Sequence, residues 1–365
     1  MRIGFYAPLK SPNHPVPSGD RQMARMLVAA LRRAGHEVEV ASELRSFSAS
    51  SGDGAYDAVQ AEALLEIERI SLLWARGAVP DIWFCYHPYY KAPDLLGPAL
   101  AERFGLATIT AEASWSLRRN VGAWTANQAL VADAVRRAAV NICLREKDRA
   151  GLRSVAPEAR FDMLAPFIEA EPFGGVEPDL ASRRIVTVAM MRPGDKLESY
   201  RMLARALECI EGLSWTLSVA GDGPCRDEVQ SQFARFDPAR IEWLGEQPSA
   251  DMPQLYARGC LHAWPGFGEA YGIAYLEAQA AGLPVLAQDI DGVPGVVRDG
   301  RTGILTPPRD VGAFADGLAI MLEDAVLRRS MSQAARRFVI EERSFETASV
   351  RLDAILRGLK ETADG

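Results

Sequence analysis

Short apolar runs alternate with amphipathic segments along almost the whole chain, and that rhythm restricts it to a narrow set of folds. "RIGFYAP" (2–8) is an extended run. "GDRQMARMLVAALRRAG" (19–35) has helical periodicity and stops at Gly35, and "HEVEVAS" (36–42) is extended again. An amphipathic segment near 58–76 leads to "DIWFCYH" (81–87), "PDLLGPALAERFG" (93–105) to "LATITAE" (106–112), and a helix near 122–138 to "VNICL" (140–144). Strands alternating with helices make βαβ units and a parallel sheet. The rhythm breaks at "APFIEAEPFGGVEPDLASR" (165–183), rich in Pro, Gly and acid, which reads as a linker. It restarts with "RIVTVAM" (184–190), "SWTLSVAG" (214–221), "RIEWLG" (240–245), "CLHAWP" (260–265) and "PVLAQD" (284–289). Helices lie between them near 197–211, 224–236, 251–258 and 273–282, and further ones follow near 310–323, 326–341 and 345–361. The expected fold is α/β, two Rossmann-like doubly wound domains facing a cleft, over residues 1–168 and 183–344. Ligands in such sheets bind at the carboxyl ends of strands, and two facing halves put the expected site in the cleft between them.

Composition removes several functions. Lys and Arg number 41 against 48 Asp and Glu, a net charge of −7. Nucleic-acid binding wants a basic face, so no nucleic-acid partner is expected. A small anion held by a few local cations stays open. The five cysteines, Cys85, Cys143, Cys209, Cys225 and Cys260, are scattered and form no CxxC pair, which suits buried thiols in a reducing compartment. "MRIGFYAPLK" reads as a strand and not as a signal peptide, and no run of about 18 apolar residues occurs, so a cytoplasmic protein is expected. Arg21, Arg25, Arg32 and Arg33 on one early helix, and "SLRRNVGAWTAN" (116–127) with Trp115 and Trp124, leave peripheral contact at the inner membrane face open beside the plainer reading of solvated helix faces. No G-x-S-x-G, HExxH or Cys/His ligand spacing is present, so hydrolase triads, zinc chemistry and a resident metal are disfavoured.

The chemistry concentrates in "GFGEAYGIAYLEAQAAG" (266–282). A glycine-rich loop follows a buried run, and a helix opens near Tyr271, Gly272 and Ile273. Glycines let the backbone approach a ligand, and a helix start offers unpaired N–H groups to a phosphate. Glu277 lies one turn in and leans back toward the helix start. A carboxylate there suits two sugar hydroxyls, such as those of a ribose, and Glu269 suits a second sugar or the loop backbone. By themselves the two glutamates would be a helix cap and a solvated residue; the strand–loop–helix–strand context argues for the ligand.

Cations are available in "VAMMRPGDKLESY" (188–200), where Arg192 and Lys196 follow a strand at the sheet's carboxyl edge. Arg grips phosphate in a fork and Lys as a point charge; an ordinary polar loop is the plainer reading. "SVAGDGPCRDEV" (218–229) is a strand, a glycine turn and a helix beginning at Pro224, more often structural than ligand-binding. In the first half, Gly19 in "VPSGDRQMARML" stands at a helix start where such folds cradle phosphate, yet without G-x-G-x-x-G. His87 ends an apolar strand and points toward the ligand edge, whereas His262 belongs to the core.

Together these residues resemble the retaining, nucleotide-sugar-dependent glycosyltransferases of the GT-B fold, in particular the family-4 group. "RPGDK" looks like the family's Arg…Lys diphosphate clamp, "AGDGP" like its second-strand turn, and "EAYGIAYLEAQAAGLPVLAQDIDGVPGVVRDGRTGILTPPRD" (269–310) is similar to its E-x7-E signature and the elements after it. The resemblance implies that Glu277 binds the ribose, that Arg192 and Lys196 neutralise the diphosphate, and that Glu269 with the amides near Tyr271, Gly272 and Ile273 holds the transferred sugar and its phosphate. It places the base against the loop around Glu246–Ser249 and sends the last helix, about 345–365, back to the first domain. Two features depart from it. Ser18-Gly19 stands where the family often has two glycines, and Glu112 in "TITAEASW" where it often has a histidine. Either Glu112 or His87 then supplies the polar group on the acceptor side, or that site is degenerate.

The resemblance implies a hexosyltransferase-type enzyme (EC 2.4). It would move a sugar from a UDP- or GDP-sugar to an acceptor hydroxyl with retention, without a cofactor or metal. The acceptor is unnamed: a glycan, a lipid-linked or a small molecule. The leaving phosphate itself could take the acceptor proton. A nucleotide-sugar 2-epimerase-like enzyme, a non-catalytic nucleotide-sugar binding protein and an NAD(P)-linked oxidoreductase remain as alternatives, the last against the missing glycine fingerprint.

Overall fold

Every extended run read from the sequence becomes a strand of a parallel sheet, and two strands join that the sequence did not announce. The structure is a computed structural model and describes residues 1–16, 18–49, 55–77 and 79–363; Pro17, inside the quoted first-half motif, and the last two residues of the 345–365 helix lie outside them. The chain divides into two compact units, residues 1–165 with 346–365, and residues 166–345.

Unit 1 runs β1 (Arg2–Tyr6), α1 (Gly19–Arg33), β2 (Glu37–Ser42), α2 (Ala55–Ala75), β3 (Ile82–Tyr86), α3 (Gly97–Phe104), β4 (Ala107–Ala111), α4 (Trp124–Arg137), β5 (Val140–Cys143), α5 (Glu146–Arg153) and β6 (Phe161–Met163). Its sheet has the order β2-β1-β3-β4-β5-β6, all parallel. β3 and β5 are buried at every residue, as strands covered on both faces must be. α1 is capped by the Ser18 hydroxyl, which accepts from Arg21 N, and it buries Met23, Ala24, Leu27 and Leu31 at helical spacing. Its basic face is in part tied to main chain: Arg25 donates to Pro12 O and Arg32 to Val38 O.

Unit 2 runs α6 (Glu171–Gly174), β7 (Arg184–Val188), α7 (Asp195–Cys209), β8 (Thr216–Ala220), α8 (Arg226–Gln232), β9 (Ile241–Gly245), α9 (Met252–Ala257), β10 (Leu261–Ala263), α10 (Ile273–Ala280), β11 (Val285–Gln288), β12 (Gly303–Thr306), α11 (Val311–Glu323) and α12 (Ala325–Glu342). Its parallel sheet has the order β12-β11-β10-β7-β8-β9. The last helix, α13 (Phe345–Ala363), belongs to unit 1 from Glu346 onward. Among the described residues no helix is long and apolar enough to cross a membrane.

Three expectations change. Residues 166–183 are not a linker and unit 2 does not begin at 183: it begins at Pro166, and unit 1 ends at 165 rather than 168. Phe167, Ile168, Phe173 and Val176 are buried, Arg328 donates to Leu180 O and Arg336 to Val176 O, so the Pro- and Gly-rich stretch carries enough apolar side chains to join a core. α7 begins two residues early, which puts Lys196 in its first turn, and α8 begins at Arg226, leaving Pro224 in the turn before it. Cys209, at the end of α7, is exposed while the other four thiols are buried.

Candidate active site

In a doubly wound sheet the strand exits diverge where the order reverses, and there a ligand meets backbone at the carboxyl edge. In unit 2 that point lies between β7 and β10. The exit of β7 carries Arg192 and Lys196, and the exit of β10 carries residues 264–272, so the sheet topology brings together segments about 70 residues apart in sequence.

Lys196 Nζ forms an ion pair with Glu269 Oε1. Glu269 also accepts from Trp264 Nε1 at 3.0 Å, and Lys196 Nζ lies 5.6 Å from the Trp264 ring centroid. The loop's backbone is pinned on its far side: Phe267 N donates to Ser199 Oγ at 3.1 Å and Tyr275 OH to Trp264 O at 3.0 Å. Arg192 is exposed and makes no ion pair or hydrogen bond among the described residues. Gly272 caps α10 at φ 74°, where an added Cβ would meet the Tyr275 ring at 2.6 Å, so only glycine fits this helix entry. The amides of Gly272 and Ile273 make no hydrogen bond among the described residues, leaving the positive end of α10 open to an anion. Tyr271 is buried beside them. Glu277 accepts from Tyr256 OH at 3.2 Å, and burial, with Glu277 next to it, holds that phenol far above its ordinary pKa. Arg192, Lys196, Glu269, Tyr271, Gly272, Ile273 and Glu277 thus share one edge of one sheet.

Gly221 and Gly223, in the exit of β8, have no room for a side chain, because a Cβ would come within 1.9 Å of Ala189 O and 2.4 Å of Met191 O. Met191 N donates to Asp222 O and Cys225 N to Met191 O, so the turn runs backbone to backbone along the segment that ends in Arg192. Its glycines act structurally, as spacers. The Glu246–Ser249 loop lies one strand further out, between β9 and α9.

In unit 1 the order reverses between β1 and β3. Gly19 is the first residue of α1, and His87 follows β3 directly. His87 Nδ1 lies 2.9 Å from Oδ1 of Asp20, in the first turn of α1. His87 and Glu112 both occupy the left-handed region, at φ 59° and 54°, and their amides donate to Ala111 O and Ile142 O across neighbouring strands. Glu112 is 3% exposed and accepts from Tyr86 OH at 2.9 Å. Burial raises its pKa, against the pull of His87 and Arg145. Burial lowers that of His87, but the hydrogen bond to Asp20 and the charges of Glu112 and Asp20 outweigh it, so the net shift is upward. His87 and Glu112 are therefore both present at this edge. Gly19 belongs to unit 1, and the α1 start next to it carries the Asp20 carboxylate. Sequence reading missed Asp20, Trp264 and Tyr256. The first was visible as an acid in a helix's opening turn; the other two are aromatic and pass for core.

Residues 182–324 match the family model described as glycosyl transferases group 1. The chain is 28% identical over 238 residues to an alpha-D-kanosaminyltransferase of Streptomyces kanamyceticus, covering 61% of each chain. It is 28% identical over 318 residues to a GDP-mannose-dependent alpha-(1-6)-phosphatidylinositol monomannoside mannosyltransferase of Mycolicibacterium smegmatis, covering 80% of each. Among solved structures it resembles Anabaena HepE in complex with UDP, with a TM-score of 0.74 at 16% identity over 98% of this chain and 100% of that one.

Proposed function

We propose a sugar transfer for this chain from one premise: it belongs to the group 1 glycosyltransferases and has their GT-B fold. Unit 2 would bind a UDP- or GDP-sugar and unit 1 the hydroxyl that receives the sugar, with retention at the anomeric carbon and without a metal. The observation that carries this reading is the Lys196–Glu269 pair beside the open N-terminus of α10.

The reaction builds negative charge on a departing diphosphate. Arg192, Lys196 and the α10 amides would donate to that charge, and donors that meet it only as it develops stabilise the transition state more than the ground state. A diphosphate would compete with Glu269 for Lys196, freeing the glutamate for hydroxyls of the transferred sugar. Glu277, held by Tyr256, would accept two ribose hydroxyls. The relatives supply both candidate bases: one neighbour was solved with UDP and one relative is named for GDP-mannose.

Calorimetry with UDP and GDP, and turnover of UDP-glucose and GDP-mannose, test the reading. Losing one charged hydrogen-bond partner costs about 1.5–3 kcal/mol. Lys196→Ala should therefore lower kcat/KM roughly tenfold to a hundredfold. Glu277→Ala should weaken the nucleoside diphosphate itself. Unchanged nucleotide affinity in Glu277→Ala together with unchanged turnover in Lys196→Ala would discard the assignment.

A further inference from the structure

We infer that the outer face of α2 is a self-pairing surface: a second copy of the chain lays its own α2 against it, antiparallel, about a two-fold axis beside Glu68 and Arg69. This goes beyond the transferase reading and does not depend on it.

α2 is apolar on two sides. Ile67, Ile70 and Trp74 are buried in a cluster with Trp83, Leu96 and Leu100. Leu64, Leu65, Leu72 and Leu73 point the other way and are between 51% and 74% exposed. No other helix among the described residues exposes more than one leucine. A grouped apolar patch of this kind marks an interaction surface, whereas single exposed leucines are ordinary.

The order of the four leucines selects the occupant. Leu65 and Leu72 stand equally far from the point between Glu68 and Arg69, and so do Leu64 and Leu73. A two-fold interface demands this, because each residue then meets the one at the mirrored distance in the other copy. At about 3.6 residues per turn Leu65 and Leu72 point nearly the same way, with Leu64 and Leu73 on opposite flanks. Leu65 therefore packs on Leu72 of the second copy and Leu72 on its Leu65, and the outer two leucines close the sides.

The charges fit the same axis. Groups nearest a two-fold axis meet their own copies, which repels unless each is already neutralised. Here each is: Glu68 pairs with Arg103 at 2.8 Å and Arg69 with Glu66 at 2.7 Å. Farther out, Glu62 and Arg76 lie on one flank at nearly equal distances from the axis; both are exposed, and neither makes an ion pair among the described residues. Antiparallel pairing sets each Glu62 beside Arg76 of the other copy, where opposite charges attract. A lipid surface fits worse. Residues 55–76 carry four carboxylates and two arginines, and anionic headgroups attract the reverse.

Sedimentation velocity of the full chain over a concentration series, without ligand, tests the pairing. The wild type should pass from monomer to dimer. Leu65→Glu with Leu72→Glu should stay monomeric throughout while its far-UV circular dichroism stays that of the wild type. Glu62→Arg and Arg76→Glu should each weaken the dimer about tenfold, since each contact occurs twice, and together they should restore it. Oxidation in a Cys209→Ser background, which removes the exposed thiol, reads the register. Leu65→Cys with Leu72→Cys should cross-link two copies. Neither alone should, because position 65 stands about 10 Å along the axis from its own copy, beyond the reach of a disulfide. A wild type monomeric at the highest concentration, a dimer that survives the two glutamates, charge reversals that do not rescue one another, or cross-linking by either cysteine alone would overturn the inference. So would capture by anionic vesicles that the two glutamates abolish, which would give the face to a membrane.

Discussion

His262 shows what burial without a partner does to a titratable group. It sits in β10 with no exposed surface, edge-on to Tyr256 at 5.9 Å and Tyr275 at 5.7 Å, and neither ring nitrogen makes a hydrogen bond among the described residues. Burial pushes its pKa down from 6.5 to about 3. Unfolding therefore takes up a proton between those two values. The stability tied to the neutral ring is whole above pH 6.5 and is lost as pH falls toward 3, by up to about 1.4 kcal/mol per pH unit. His262→Leu should shrink the difference in urea unfolding free energy between pH 7.5 and pH 5. An unchanged difference would mean that the ring is already charged, or solvated, in the folded chain. Position inside an apolar run marked this histidine as core in the sequence. By the same logic His87, at the end of such a run, was marked for the ligand edge, while its partner Asp20, 67 residues earlier, was out of reach of any local pattern.

The exits of β7 and β8 carry the element-scale lesson. The sequence showed a glycine turn at 221–224 and two cations at 192 and 196, but not that one supports the other. The support is a backbone contact across adjacent strands, with Gly223 against Met191 O, and strand order is not written in local periodicity. Gly223→Ala places a methyl 2.4 Å from that carbonyl at φ 151°, so either the β8 turn or the β7 exit must move. Strain of this kind costs on the order of 1–3 kcal/mol. Because the exit ends in Arg192, the variant should lose nucleoside diphosphate affinity along with thermal stability. A stability loss with full affinity would show that the turn supports the sheet and not the cations. The two strands absent from the sequence reading are explained at this scale too. β6 and β12 are edge strands of three and four residues, half-buried in large part, and so lack the continuous apolar run that betrays a central parallel strand.

At the scale of the whole molecule, alternation alone implied two α/β units, because no other arrangement buries so many short apolar runs. It did not locate their borders. The Pro- and Gly-rich stretch at 166–183 looks unstructured by composition, yet its four buried apolar side chains fold it into unit 2. The opposite case is α13, which closes unit 1 from the far end of the chain. Leu352, Ile355 and Leu356 are at most 2% exposed, and Arg351 donates to Asp162 and to Met163 O, both in β6. Burying each such aliphatic side chain is worth about 1.5–3 kcal/mol, so the three together match a sizeable part of the roughly 5–15 kcal/mol that holds a domain folded. A chain ending at Phe345 should therefore leave residues 1–165 open to protease while 166–345 survive as a resistant fragment, read by mass spectrometry of the digest. That fragment retains Lys196, Glu269 and the start of α10. If unit 2 alone carries the diphosphate site, calorimetry on the truncated chain should still report UDP or GDP binding; a truncated chain that keeps both units protease-resistant would show that α13 is dispensable to unit 1.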